Sequence, residues 1–307
     1  MSSSSTEPTH TVTGIRDILS FTCASPSAEA TATAIWICFG FMSSHNLIID
    51  YGGTVHIASP SNNWSMLNPY KNTVKCHGTN VLAKGKPVRM SDNNQYYHSS
   101  AVVLDMNGYD QSISRIYAGW QFASWPDLYT TVKSETPAML EIATDTVYND
   151  VLPLKVTGAA GIKFNAAGSL TFTNFTASTT GTLEVARGTV RFAAGSGWIA
   201  TTNIVLNGGM LDVAPGAGAK AFGPAQGKSA AWMTRTDGLV RIADNEQPTV
   251  CALAVPKGNG HFRYLAPGVY GGPEASLGDE HTLDWISGGG TLRVLRSGDA
   301  GTIIILK

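Results

Sequence analysis

Aspartate, glutamate, histidine and cysteine occur in this chain in only a few groupings that could carry chemistry. Asp279-Glu280-His281 is the densest set of potential ligands and Cys76-His77 the next. Successive residues of a strand point to opposite faces, so neither set can easily close on one metal ion. His56 lies far from Cys76-His77 in sequence, and a solvated loop is the expected setting for Asp279 to His281. Asp105, Asp110 and Asp212 stand at strand ends beside glycine corners, where carboxylates accept hydrogen bonds from turn amides. A glycosidase would need two carboxylates at a set separation across a cleft, and no motif marks such a pair. No Gly-x-Ser-x-Gly elbow is present. Gly208-Gly209 and Gly288-Gly289-Gly290 lack the lysine and helix of a phosphate loop. The expectation is no catalytic residue, no metal ligand and no cofactor. Trp120, Phe122, Trp125 and Tyr129 cluster in one segment, and exposed rings there could stack on sugars through their apolar faces; capping the core is their other reading.

The elements that would position these residues are marked by one short pattern. A glycine followed by apolar residues alternating with polar ones recurs as Gly168-Ser169-Leu170-Thr171-Phe172, Gly181-Thr182-Leu183-Glu184-Val185 and Gly188-Thr189-Val190-Arg191-Phe192. It returns as Gly209-Met210-Leu211-Asp212-Val213, Gly290-Thr291-Leu292-Arg293-Val294 and Gly53-Thr54-Val55-His56-Ile57. Period-two alternation marks a strand with one buried face, and the leading glycine supplies a bend. Serial repetition of such units points to stacking, because no unit buries its apolar face alone. Leu170, Leu183, Val185, Val190, Phe192, Leu211 and Val213 are the predicted inward residues. Further strands are expected over 47–50, 54–58, 87–90, 101–106, 112–117, 138–143, 152–156, 199–206, 240–243 and 292–295.

Composition agrees with an all-β chain. Of 307 residues 33 are glycine, roughly one in nine against a usual ~7 %, while charged residues are only 14 %. Twenty-one Lys and Arg face 22 Asp and Glu, a net charge of −1, which leaves no electrostatic footprint for nucleic acid and no basic face for direct membrane insertion. The cysteines Cys23, Cys38, Cys76 and Cys251 form no C-x-x-C pair; buried thiols or disulfides remain open for them. The apolar run Ala34 to Met42 is too short to span a bilayer as a helix and reads as a buried strand. Residues 1–12 read as a polar, disordered tail and 13–307 as a single domain. The expected fold is a right-handed parallel β-helix; the alternative is an antiparallel β-sandwich in which Leu183 to Phe192 forms a hairpin.

Gly158 to Phe192 resembles the autotransporter-associated β-strand repeat, or passenger-associated transport repeat, of bacterial surface proteins; Leu104 to Ile113 is similar to a companion motif that often follows it, and Pro267-Gly268-Val269-Tyr270 followed by Gly288 to Leu295 resembles the closing segment of many such chains. The likeness covers about residues 75–295. It implies a parallel β-helix acting as a noncatalytic structural or adhesive passenger or stalk at the cell surface or outside the cell. Surface glycans or other modules of the same parent chain would be its partners. No transmembrane barrel follows in this chain, which departs from the family pattern. A carbohydrate-active or glycan-binding β-helix and a trimeric fibre-like assembly protein are the alternatives.

Overall fold

The computed structural model describes residues 10–11, 34–37, 46–48, 53–58, 62–69, 73–90, 102–117, 130–173, 176–198, 203–223 and 231–296. They fall into two compact units, Met1–Thr144 with Leu152–Ala160, and Asp145–Val151 with Gly161–Lys307. Both are all-β. Strands dominate because Thr, Val and aromatic residues alternate with small polar ones while glycine is frequent and charged helix formers such as Lys and Glu are few.

In the first unit, strands Ala34–Ile37, Thr54–Ile57, Thr73–Cys76, Val103–Asp105 and the opening of Thr130–Thr144 form one parallel ladder. Ile35, Val55, Val74, Leu104 and Val132 stand in register along it. A second parallel ladder joins Asn46–Ile48, Met66–Asn68, Pro87–Arg89 and Arg115–Tyr117 through Leu47, Leu67, Val88 and Ile116. A third pairs Gln111–Ile113 with residues 140–142. Successive rungs of a ladder lie 19 residues apart in the chain from Val55 to Val74 and 28 apart from Val88 to Ile116. Val55, Val74, Leu104 and Val132 are buried, so the apolar half of the alternation forms the core.

The second unit repeats the arrangement. Strand Leu154–Phe172 enters it at Gly161 and is followed by Thr182–Phe192, Asn203–Val213, Ala231–Ile242 and Thr249–Gly258. Ile162, Leu183, Ile204, Met233 and Leu253 align across these strands. Leu170, Val190, Leu211, Val240 and Ile286 align in a parallel ladder of their own. All seven predicted inward residues are buried. Phe172, Phe192 and Phe222 pack in series, tilted and then edge to face, with ring centres 5.8 and 5.7 Å apart. Antiparallel pairing enters where Thr249–Gly258 meets His261–Tyr264 and Gly268–Gly271 meets Thr291–Val294.

Thr182–Phe192 pairs in parallel with a strand on each side. That excludes the hairpin on which the antiparallel sandwich rested, and the mostly parallel sheet is compatible with a β-helix. Two expected strands are divided: 112–117 breaks at Ser114, and 152–156 breaks at Pro153, whose nitrogen has no proton to donate. The stretch 199–202 lies outside the described residues.

The recurring glycines have a sharper cause than bending. A Cβ at Gly188 would collide with the carbonyls of Ala166 and Gly168, one at Gly209 would come within 3.0 Å of the Gly188 carbonyl, and one at Gly238 would strike the Gly209 carbonyl. Gly168, Gly188, Gly209 and Gly238 therefore stack as a column, each resting against an earlier stretch of backbone. At Gly168 the Tyr148 backbone alone demands glycine, at Gly209 a Cβ would also strike Val185 Cγ1, and Gly188 further needs its φ of 73°.

Candidate functional site

Three outward-facing clusters gather the polar and aromatic side chains, and each is set by the strand pairing within its own unit. In the first unit His56, Lys75, Asp105 and Lys133 occupy consecutive rungs of one outer stripe. The Asp105 carboxylate pairs with Lys133 Nζ at 3.2 Å and accepts the Asn107 N–H at 3.0 Å. Its expected role at the Asn-Gly corner is therefore what its geometry performs. His77 follows Cys76 at the end of its strand, and its amide donates to Ile57 O at 2.8 Å. This places its Nε2 2.7 Å from His56 Nδ1, a neighbourhood that sequence distance concealed. Desolvation is the main cause that pulls both imidazoles below the ordinary histidine value; the His77 ring and then Lys75 add to it at His56, and Lys75 adds to it at His77. Cys76 points into the core, where burial pushes its thiol far up. Cys76 and Cys251 are free thiols; Cys23 and Cys38 lie outside the described residues.

In the second unit Arg191, Asp212 and Arg241 stand on successive rungs. Asp212 is buried. Its carboxylate accepts from Arg241 Nε at 2.9 Å and Nη2 at 2.7 Å, and from Arg191 Nη1 at 3.1 Å. These bonds hold the Arg241 guanidinium above its ordinary value. Asp212 was expected to bind a turn amide; it serves instead as the shared counter-ion of a charge ladder, because its rung lies between two arginines. Asp110 does meet a backbone amide, Met139 N–H, at 2.7 Å.

Aromatic residues form the third cluster. Ala252 and Ala254 sit on the outer side of strand Thr249–Gly258, next to Trp232 and Thr234 of one neighbour and, for Ala254, Tyr264 of another. Two methyl-sized residues leave room for large rings from both flanks to meet over them, and both alanines are buried. Trp232 and Tyr264 pack edge to face with centres 6.0 Å apart. Pairing continues past Thr291–Val294 through Leu295 N–H to Val250 O and Arg296 N–H to Cys251 O, which swings Arg296 onto the same patch. Its Cζ lies 4.9 Å from the Trp232 ring centre, and its Nε–H donates to Cys251 Sγ at 2.9 Å. Alternation puts Phe262 on the Tyr264 side of its strand and His261 and Arg263 on the other.

Trp120, Phe122, Trp125 and Tyr129 lie outside the described residues. Asp279 to His281 forms a 3-10 turn rather than a loop without structure; Asp279 and Glu280 are exposed, and His281 packs on Tyr270 at 5.2 Å. Among the described residues no three His, Cys, Asp or Glu side chains come together as a metal site. The Trp232–Tyr264–Arg296 patch was missed because its members come from two separate strands and from the residues that follow a third. The trace available in sequence was the small outer face of Cys251-Ala252-Leu253-Ala254-Val255.

Comparison with family models, with curated proteins and with solved structures returns no match.

Proposed function

We propose that this chain is a noncatalytic structural or adhesive module, a passenger or stalk of a bacterial secreted or cell-surface protein, built as a right-handed parallel β-helix. One observation carries the reading: the same few rungs recur along parallel ladders in both units, as in Ile162, Leu183, Ile204 and Met233. Stacked identical rungs extend a scaffold by repetition. The outer side chains serve neighbouring rungs, as with Asp105 and Lys133 or Arg191, Asp212 and Arg241. The resemblance of Gly158 to Phe192 to passenger repeats supplies the location outside the cell.

A glycan-binding role is the second reading, and the Trp232–Tyr264 pair favours it. Rings held over an alanine floor on an outer sheet face offer the flat apolar surface that pyranose rings stack on. The test uses intact bacteria expressing the full reading frame around this segment. External protease should degrade the chain without lysis, and the purified chain should release no reducing or unsaturated ends from a polysaccharide panel. Protection from the protease would overturn the surface role. Turnover abolished by changing one Asp or Glu would replace the structural reading with an enzyme.

A further inference from the structure

We infer that the Trp232–Tyr264–Arg296 patch binds acidic polysaccharide, with Arg296 as its anion receptor; the inference rests on the glycan-binding reading. Three other arginines of the second unit are already matched with acids. Arg191 and Arg241 share Asp212, and Arg187 meets Asp145 at 2.7 Å. Arg296 differs. Its guanidinium is stacked on an indole and its Nε–H is given to a buried sulfur, yet no carboxylate pairs with it among the described residues. Cation–π stacking and one hydrogen bond fix the planar fork, so little side-chain freedom is lost when an anion takes the remaining N–H groups. Arginine forks suit carboxylate and sulfate because two parallel hydrogen bonds can form.

The surroundings match an anionic sugar. Between Glu246 and Glu274 the sequence has no Asp or Glu and has Lys257, His261 and Arg263, of which His261 and Arg263 stand on the side of their strand away from Tyr264. Glu246 itself is occupied, accepting the Gly216 and Gly218 amides at 2.6 Å each. Lys257 and His261 are exposed beside the tip of the antiparallel hairpin that carries Tyr264 and Phe262. Trp232, Phe262 and Tyr264 are each partly exposed, so rings for pyranose faces and a fixed cation for the acid group lie on one sheet face. Nucleic acid is a poorer occupant, since 21 basic residues are offset by 22 acidic ones across the chain.

The experiment measures binding of the purified chain to immobilised polygalacturonate, heparin, neutral dextran and poly-glutamate, at low and at physiological salt. Polygalacturonate or heparin should bind and dextran should not, with affinity falling as salt rises; the preferred polymer tells carboxylate from sulfate. Arg296→Gln should weaken binding about tenfold or more, the range expected for a lost charge-assisted hydrogen bond. Arg296→Lys should recover part of that loss, and Lys257→Gln, at an exposed site, should cost about two- to threefold. Melting curves identify any variant that fails to fold, and Lys257→Gln with the salt series decides the matter if Arg296→Gln does. Equal binding of dextran would overturn the acidic-sugar assignment and leave glycan binding standing. Equal binding of poly-glutamate would reduce the patch to a general polyanion surface. Binding to no polysaccharide would overturn both this inference and the glycan-binding reading, while the scaffold role is decided separately by protease access on cells.

Discussion

His56 Nδ1 and His77 Nε2 lie 2.7 Å apart although 21 residues separate them in the chain. The contact needs at least one neutral ring, since one nitrogen must accept what the other donates. The charges around the pair are Lys75, which opposes protonation of both rings, and Asp105, which favours it at His77 and is itself held by Lys133.

Acid should therefore loosen the fold through this pair. Both imidazoles titrate below their unfolded value of about 6.5, so between that value and the folded ones the unfolded chain binds more protons. Stability then rises with pH across this interval: the contribution is whole above pH ~6.5 and is lost as pH falls through the folded values. Melting temperature should drop from pH 7.5 to 5, and His77→Gln should flatten part of that drop. Proton NMR titration reads each ring directly; either histidine titrating above the unfolded value would reject the assignment.

Leu183 tests the register. It is buried between Ile162 and Ile204, while Glu184 beside it faces outward between Lys163 and Val205. Burying a leucine contributes about 1.5–3 kcal/mol, and an unpaired carboxylate in its place costs more. In urea melts Leu183→Asp should lose most or all of the folded state. Glu184→Ala should change the unfolding free energy by no more than about 0.5 kcal/mol. The reverse ranking would mean that the two faces have been exchanged.

Gly188 and Gly278 separate backbone proximity from mere glycine content. An alanine at 188 would have to adopt a φ of 73° and clash with the Ala166 carbonyl, whereas nothing lies within 4 Å of a Cβ at 278 and its φ is ordinary. Gly188→Ala should destabilise by more than about 1 kcal/mol. Gly278→Ala should be neutral or slightly stabilising, since alanine narrows the unfolded ensemble. Equal effects in chemical denaturation would refute the stacked glycine column.

What could be read from sequence was local. Alternation in Leu183-Glu184-Val185 shows which side chains face the core, because strand geometry makes facing a matter of parity. Glycine before each copy announces a corner. The partners across rungs were hidden, since they depend on the length of chain between paired strands, and that length varies: Ile204 lies 21 residues after Leu183, but Met233 lies 29 after Ile204. For the same reason His56 was separated from His77, and Asp212 was assigned a turn amide instead of two arginines. Trp232, Tyr264 and Arg296 could not be joined by any single period, because Tyr264 arrives by antiparallel pairing.

Asp212 offers the last test, through the two arginines that share it. Its side chain is 4 % exposed, whereas Arg191 and Arg241 are 39 % and 49 % exposed. A buried carboxylate stripped of partners is far more costly than a half-solvated guanidinium stripped of its own. Either arginine alone can still hold the carboxylate, so Arg191→Ala and Arg241→Ala should each be mild, about 1 kcal/mol or less. Removing both leaves Asp212 buried and uncompensated, and the double variant should lose at least about 1 kcal/mol more than the two single losses combined. Adding Asp212→Asn to that background should restore part of the deficit, because a neutral amide tolerates burial better than a charge. Strict additivity in a urea double-mutant cycle would show that Asp212 is solvated and that the ladder contributes nothing to the fold.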